Sequence, residues 1–280
     1  MTGALPAGSS RIRLLISDVD GTLVTPDKRV TEAAADAVRR LAAAGIGFTL
    51  ISSRPPKGMA SLIAALHVSL PFAAFNGGSL VAPDGRLIVA HRLSADAARK
   101  ALGLLDRHGV DAWVFADGDW RLRNPDGLKV GGERVAIGFD PTVVPGFDDV
   151  IDRIDKIVGV SDDHELLARV EVEARALIGA GAAIQRSQPY YLDVTHPLAN
   201  KGEAVRALCD RIGVAPERTA VIGDMFNDVA MFEVAGVSIA MGQAPEDVRR
   251  RAGAVTRANT DEGFAAAVGR LILAHAEGAP

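Results

Sequence analysis

Three short apolar runs, far apart in the chain, each break off into a polar cluster, and this recurrence limits the fold more than any other feature. Residues 12–17 end in Asp18-Val19-Asp20-Gly21-Thr22. Residues 46–51 end in Ser52-Ser53-Arg54, and Pro55-Pro56 forbids further strand pairing. Residues 219–222 end in Gly223-Asp224, with Asn227-Asp228 just beyond. Short, mainly apolar runs of this length suit strands buried on both faces of a parallel sheet. Ligands of such open sheets bind beyond the carboxyl ends of the strands, so the three clusters should meet in one crevice.

The segments between these runs read as helices. Thr31 can cap a helix through an Ala-rich stretch to Ala44, and Gly45 can end it. A further helix precedes a strand at 72–75 and an Asn76-Gly77-Gly78 turn. Strand, helix, strand, helix, strand is the rhythm of a doubly wound α/β sheet. The rhythm then changes. Strands at 79–81 and 86–90 flank Pro83-Asp84-Gly85, and strands at 113–115 and 120–123 flank residues 116–119, both hairpin signals. Helical patterns cover 94–107 and 164–178. We therefore expect an α+β module inserted at residues 85–193 into a doubly wound, Rossmann-like core formed by 1–84 and 194–280. In the second core part the helix and strand alternation returns, ending in a helix at 263–275.

Apolar residues make up 48% of the 280, enough for a sizeable core without covalent staples, and the lone Cys209 falls on an apolar helical face. The net charge of -4 lacks the basic excess of a nucleic-acid binder. No stretch reaches the roughly 18 apolar residues of a membrane span. Residues 1–10 show no basic region followed by an apolar core, so a secretory signal is not expected. These features point to a cytoplasmic protein, monomer or homodimer, with a short frayed N-terminus and no nucleic-acid or membrane partner.

The clusters themselves suit phosphoryl transfer. Asp18 and Asp20 alternate, so they can project similarly at a strand end, and Gly21 lets the chain turn sharply. Asp18, Asp20, Asp224 and Asp228 gathered in one crevice would repel one another unless a hard divalent cation joined them, and oxygen ligands select magnesium. Lys201, at a helix start, and the Ser52 hydroxyl can hold other phosphate oxygens together with backbone N–H groups. Taken singly, each fragment has a plainer reading as a turn, a helix cap or a solvated charge. A calcium loop would need an acid at its twelfth position, which is Arg29. The fragments together, in this order and at strand ends, are hard to explain as structure alone.

The pattern resembles the haloacid dehalogenase superfamily, in particular its Cof-like IIB branch of phosphatases with an inserted cap. The matching stretches are Asp18-Val19-Asp20-Gly21-Thr22-Leu23, Ser52-Ser53-Arg54, Asn76-Gly77-Gly78, Asn200-Lys201-Gly202 and Gly223-Asp224-Met225-Phe226-Asn227-Asp228. Ala240-Met241-Gly242 and Asp261-Glu262-Gly263 extend the likeness towards the C-terminus. The resemblance implies that Asp18 forms an aspartyl-phosphate and that Asp20 protonates the leaving oxygen, then activates water. It implies Mg2+ held by Asp18, the Asp20 carbonyl and Asp224, with Asp228 in support. Ser52, Ser53, Asn76, Lys201 and Asn227 would contact the phosphate or substrate. Ser53 departs from the glycine frequent at that place, but a small residue can still present its N–H.

The expected function is thus a phosphomonoester hydrolase acting on a small phosphorylated metabolite, a sugar phosphate by preference. Two alternatives stay open from sequence: a phosphomutase using the same aspartyl-phosphate, and a non-catalytic phosphate-ligand binding protein. In the inserted module Trp113, Trp120, Arg121, Arg123, Arg186 and Tyr190 are pocket candidates, with Trp113 and Tyr190 expected rather in its core. His196, before Pro197 at the domain crossing, reads as a hinge residue.

Overall fold

A computed structural model describes residues 12–274. The expected frayed start, residues 1–10, and the last residue of the expected final helix, His275, lie outside the described residues. The first core part comprises β1 (Leu14–Ser17), α1 (Glu32–Ala43), β2 (Gly47–Leu50), α2 (Ala60–Ala65), β3 (Phe72–Ala74), β4 (Ser79–Val81) and β5 (Leu87–Ala90). The inserted module follows with α3 (Ala95–Arg107), β6 (Asp111–Ala116), β7 (Asp119–Leu122), α4 (Val130–Ile137), β8 (Thr142–Val143), β9 (Ile154–Val160), α5 (His164–Ile178), β10 (Ala183–Gln188) and β11 (Tyr191–Thr195). The chain returns through α6 (Lys201–Ile212), β12 (Thr219–Gly223), α7 (Val229–Phe232), β13 (Val237–Ala240), α8 (Glu246–Arg251), β14 (Ala254–Val255) and α9 (Gly263–Ala267). A π-helical stretch, Val268–Leu273, continues α9 where one regular helix was expected.

The core sheet is parallel throughout, in the order β14-β13-β12-β1-β2. Every residue of β1 and β12 is buried because helices cover both faces. The strand period of two sorts the side chains. Leu14 and Ile16 pack with Val205, Leu208 and Met231 on the α6 and α7 side. Leu15 packs with Leu41 of α1 and Phe264 of α9 on the other. The Thr31 hydroxyl caps α1 by accepting the Ala34 N–H, as its sequence suggests. From β1 the sheet grows one way to β2, and from β12 the other way to β13 and β14. The β1/β12 junction is therefore the switch point at which an open α/β sheet presents its ligand crevice.

The inserted module is a second, mostly antiparallel sheet, β10-β11-β9-β6-β7-β8. Helices α3 and α5 cover one face, burying Leu105, Leu167 and Val170 against Val114, Ile157 and Leu192. The opposite face carries Trp113, Phe115, Trp120 and Val158 and joins the hydrophobic cluster of the core. Phe75 and Phe115 meet across the two bodies with ring centroids 5.7 Å apart.

The expected start of the insertion, residue 85, falls in the turn between β4 and β5. Residues 87–90 pair with β4, so the hairpin around Pro83-Asp84-Gly85 stays whole on the core side. The first main-chain bond to the second sheet runs from the Leu93 N–H to the Ile154 carbonyl, 2.9 Å. At the far end β11 continues to Thr195, two residues past the expected boundary. His91 and His196, each immediately after a strand where the chain crosses between the two bodies, stack with centroids 5.1 Å apart. Among the described residues no helix is long and apolar enough to cross a membrane.

Candidate active site

Adjacent strands β1 and β12 deliver Asp18 and Asp224 side by side. The Asp18 N–H donates to the Ile222 carbonyl (2.9 Å), which fixes the end of β1 against its neighbour. Asp18, Asp224 and Asp228 each offer a carboxylate oxygen within 4.8 Å of the others, and all three are buried. Burial and the Asp228 and Asp224 charges raise the Asp18 pKa well above the usual carboxylate range, although Lys201 opposes the rise. Burial and Asp228 push Asp224 up to about 7. So crowded a set of acids is under-neutralised by the protein alone and fits a hard divalent cation with oxygen ligands.

Lys201 is the one ammonium in contact with this set among the described residues. It is 1% exposed, and its Nζ donates to Asp18 Oδ1 and to Asp228 Oδ1, each at 2.5 Å. Burial disfavours its charge, but the two carboxylates outweigh that and raise its pKa. Asn200 holds the lysine in place by capping α6, its side-chain oxygen accepting the Glu203 N–H at 2.9 Å. Asp228 is fully engaged. Its Oδ2 accepts the N–H groups of Asp224 (2.8 Å) and Met225 (2.9 Å), so it shapes the loop that carries Asp224.

Asp20 faces another way. Its carboxylate is gripped by Arg54, through Nε at 2.7 Å and Nη2 at 2.8 Å, and by Lys28 Nζ at 2.7 Å. Burial alone would raise its pKa, yet the two cations bring it down to about 2. Its side chain is thus outside the three-carboxylate cluster, and any hold on a metal falls to its main chain. Arg54 and Lys28 are residues of this candidate site that sequence reasoning did not single out. Arg54 stood inside a recognised stretch, but nothing in the spacing showed its fork aimed at Asp20.

A cavity of about 580 Å³ opens over these groups. Asp18, Asp20, Ser53, Asp224 and Asn227 line its core side, with Lys28 and Arg54. Ser52, Asn76, Lys201 and Asp228 lie directly behind, each no more than 1% exposed. Ser52 Oγ accepts the Arg54 N–H at 3.1 Å and so sets the loop between them. Asn227 Nδ2 donates to Asn76 Oδ1 at 3.2 Å, leaving Asn76 Nδ2 and Asn227 Oδ1 buried without a protein partner. The inserted module supplies the roof, including Trp113, Phe115, Glu133, Lys156, Tyr190 and Tyr191. Trp113 serves both as core and as roof, being 2% exposed yet reaching the cavity. Trp120, Arg121, Arg123 and Arg186 do not line it; the three arginines pair with Asp149, Asp106 and Glu171.

Gly21 lets the loop close. Its φ is +83°, and a Cβ there would overlap the Asp224 carboxylate. Gly21→Ala should therefore displace Asp224 and cut activity by about 100-fold, the scale of a 1 Å misplacement in an active site. Steady-state kinetics at saturating magnesium checks this; a variant within twofold of wild type would mean that the loop adapts.

A family model described as haloacid dehalogenase-like hydrolase matches residues 15–268. HMP-PP phosphatase of Cronobacter sakazakii is 29% identical over 237 residues, covering 83% of this chain and 85% of that protein. A 5-amino-6-(5-phospho-D-ribitylamino)uracil phosphatase of Bacillus subtilis is 24% identical over 263 residues, covering 94% and 96%. Among solved structures, a haloacid dehalogenase-like hydrolase from Bacteroides thetaiotaomicron shares the fold with a TM-score of 0.84 at 24% identity, over 93% of this chain and 99% of that one.

Proposed function

The chain belongs to the haloacid dehalogenase-like hydrolase family, and from that premise we propose that it hydrolyses the phosphate ester of a small metabolite through Asp18, with magnesium as cofactor. The observation that carries this reading is the Asp18 carboxylate itself. It sits at the switch point of the sheet, at the floor of a roofed cavity, beside two further carboxylates and one buried lysine. Two relatives it resembles are, by their names, phosphatases of HMP-PP and of 5-amino-6-(5-phospho-D-ribitylamino)uracil.

Asp18 and Asp224 would hold the metal, with the Asp20 carbonyl and with Asp228 in support. A divalent ion held there would supply charge neutralisation of the crowded carboxylates and the phosphate, which an anionic nucleophile needs to approach an anionic ester. Asp18 attacks phosphorus and becomes an aspartyl-phosphate while the ester oxygen departs. Lys201, already on Asp18 Oδ1, keeps that side chain oriented and screens charge on the phosphoryl oxygens. Ser52 and Ser53 position the transferring group, and Asn227 with Asn76 offers the unused donor and acceptor to the substrate. Asp20 is ionised in the free site. An arriving phosphate competes for Arg54 and Lys28 and raises the proton affinity of Asp20, which takes up a proton from solvent or from the monoanionic ester and then gives it to the leaving oxygen. Once the alcohol has left, the ionised Asp20 takes a proton from the water that cleaves the intermediate. The inserted module acts as a cap that excludes bulk water and favours small ligands.

A panel of phosphorylated metabolites with magnesium, read as released phosphate, tests the proposal. Magnesium-dependent release from at least one ester is expected. Isomer formation without release would make the protein a mutase, and binding without turnover would make it a binding protein. The metal assignment has its own test. Loss of groups that merely support ligands typically weakens metal affinity by about 10- to 100-fold. Asp224→Ala removes a ligand, so half-maximal activity should need at least about 100-fold more magnesium. An unchanged magnesium titration would move the metal elsewhere.

A further inference from the structure

We propose that Glu133 is the cap-side recognition residue for the leaving group, and that the natural ester presents it with a hydrogen-bond donor, a hydroxyl or an ammonium, rather than a second anionic group. The inference deepens the phosphatase reading and rests on it.

Glu133 lies on α4, the helix that ties the insertion to the core just after Ser52-Ser53-Arg54. A Cβ on Gly58 would stand 3.0 Å from Ile137 Cβ, so the core loop and the end of α4 are in close contact. Lys57 Nζ lies 4.5 Å from the centre of the Phe139 ring immediately beyond. These contacts hold Glu133 on the roof of the same cavity whose floor carries Asp18 and Asp20. A leaving group attached to phosphorus at Asp18 would share this cavity with Glu133.

The charges of the roof are unequal in their partners. Lys129 is paired with Asp162 at 2.8 Å, and Lys156 with Asp193 at 2.8 Å. Both cations of the roof thus already have a carboxylate. Glu133 has no ion pair within 4.0 Å among the described residues, and its hydrogen bond, from the Tyr191 hydroxyl, is long at 3.4 Å. A carboxylate offers about four acceptor positions, so most of its capacity is unused. Burial is the main reason that its pKa is raised; Lys156 opposes the rise, while Asp193 and Asp20 add to it. A second phosphate or carboxylate at this end of the substrate would meet the unpaired Glu133 and two cations that are already paired. A hydroxyl or an ammonium would fill the open acceptor positions. Trp113, Phe115 and Tyr191 beside it supply a carbon surface for the body of a sugar or heterocycle.

The test compares kcat/KM for glucose 6-phosphate, glucosamine 6-phosphate and fructose 1,6-bisphosphate, each divided by that for p-nitrophenyl phosphate, which carries no donor. Wild type should favour one of the first two over the bisphosphate by at least tenfold. Which of them leads separates a hydroxyl from an ammonium partner. Glu133→Ala should lower that ratio by about 10- to 100-fold, the range of a hydrogen bond to a charged group. Glu133→Lys should shift preference towards the bisphosphate. Glu133→Gln, nearly identical in shape, decides the matter if the alanine variant does not fold, since it should depress the ammonium ester more than the hydroxylated one. Ratios within twofold of wild type in all folded variants would overturn the inference while leaving the phosphatase reading in place. Failure of wild type to release phosphate from these four esters and from the wider panel with magnesium would overturn the phosphatase reading, and this inference with it.

Discussion

Asp18→Asn should release no phosphate above background from any substrate, while the protein still melts cooperatively near the wild-type temperature. The loss comes from the nucleophile. An amide keeps the shape of the side chain but has no anionic oxygen to attack phosphorus, and removing the nucleophile of a covalent hydrolase costs on the order of 10^6 in rate. Stability should change little because two local effects oppose each other. Lys201 loses the charge of one partner but keeps Asp228 at 2.5 Å. In return, the repulsion of Asp18 by Asp228 and Asp224, which adds to burial in raising its pKa, is relieved. Phosphate release at a tenth of the wild-type rate or above would remove Asp18 from the chemistry. A collapse of the melting transition would instead make its role structural. The comparison needs a deamidation control, since hydrolysis of the introduced amide would regenerate the aspartate and restore a trace of activity.

Much of the core was legible because its residues obey local rules. β1, β2 and β12 are short, mainly apolar runs, α1 has its Thr31 cap, and the polar clusters stand where a switch point requires them. The inserted module was legible only in part. β9 is its central strand and is buried throughout, but Asp155 and Lys156 interrupt its apolar pattern. They are tolerated inside because each has a distant partner, Arg92 at 3.4 Å and Asp193 at 2.8 Å, which no local rule reveals. α4 begins with Val130-Gly131-Gly132, a poor helical start, and forms where its end meets the core. β10, Ala-Ile-Gln-Arg-Ser-Gln, is an edge strand with one fully buried side chain, so it lacks the alternation that marks a strand. The same limit applies to the site. The acids at strand ends were visible, whereas Arg54 on Asp20 and Glu133 in the roof depend on folding across 34 residues in one case and across two bodies in the other.

Asp20 should be separable from Asp18 by the kinetics of its loss. Asp20→Ala removes a carboxylate from a guanidinium that is almost wholly buried, the Arg54 side chain being 6% exposed. Stripping one partner from a buried ion pair costs about 3–5 kcal/mol where burial is complete, and less here because Asp20 is 28% exposed. Asp20→Asn is therefore the cleaner variant: its amide oxygen still accepts from Arg54, but it cannot shuttle a proton at neutral pH. Both halves of the reaction then suffer. In the first, a sugar alkoxide leaves unprotonated, and a positioned acid is worth roughly a hundred- to ten-thousand-fold there. A p-nitrophenolate is a far better leaving group and should lose much less. In the second half, water must attack the aspartyl-phosphate without its base, and that penalty is the same whichever ester formed the intermediate. With p-nitrophenyl phosphate, formation of the intermediate should outrun its breakdown. Rapid mixing should show a burst of p-nitrophenol approaching one equivalent of enzyme, followed by slow turnover, and mass spectrometry at low temperature should find phosphate on Asp18. Equal losses for aryl and sugar esters, with neither burst nor adduct, would leave Asp20 only the role its main chain can play, a carbonyl beside the metal.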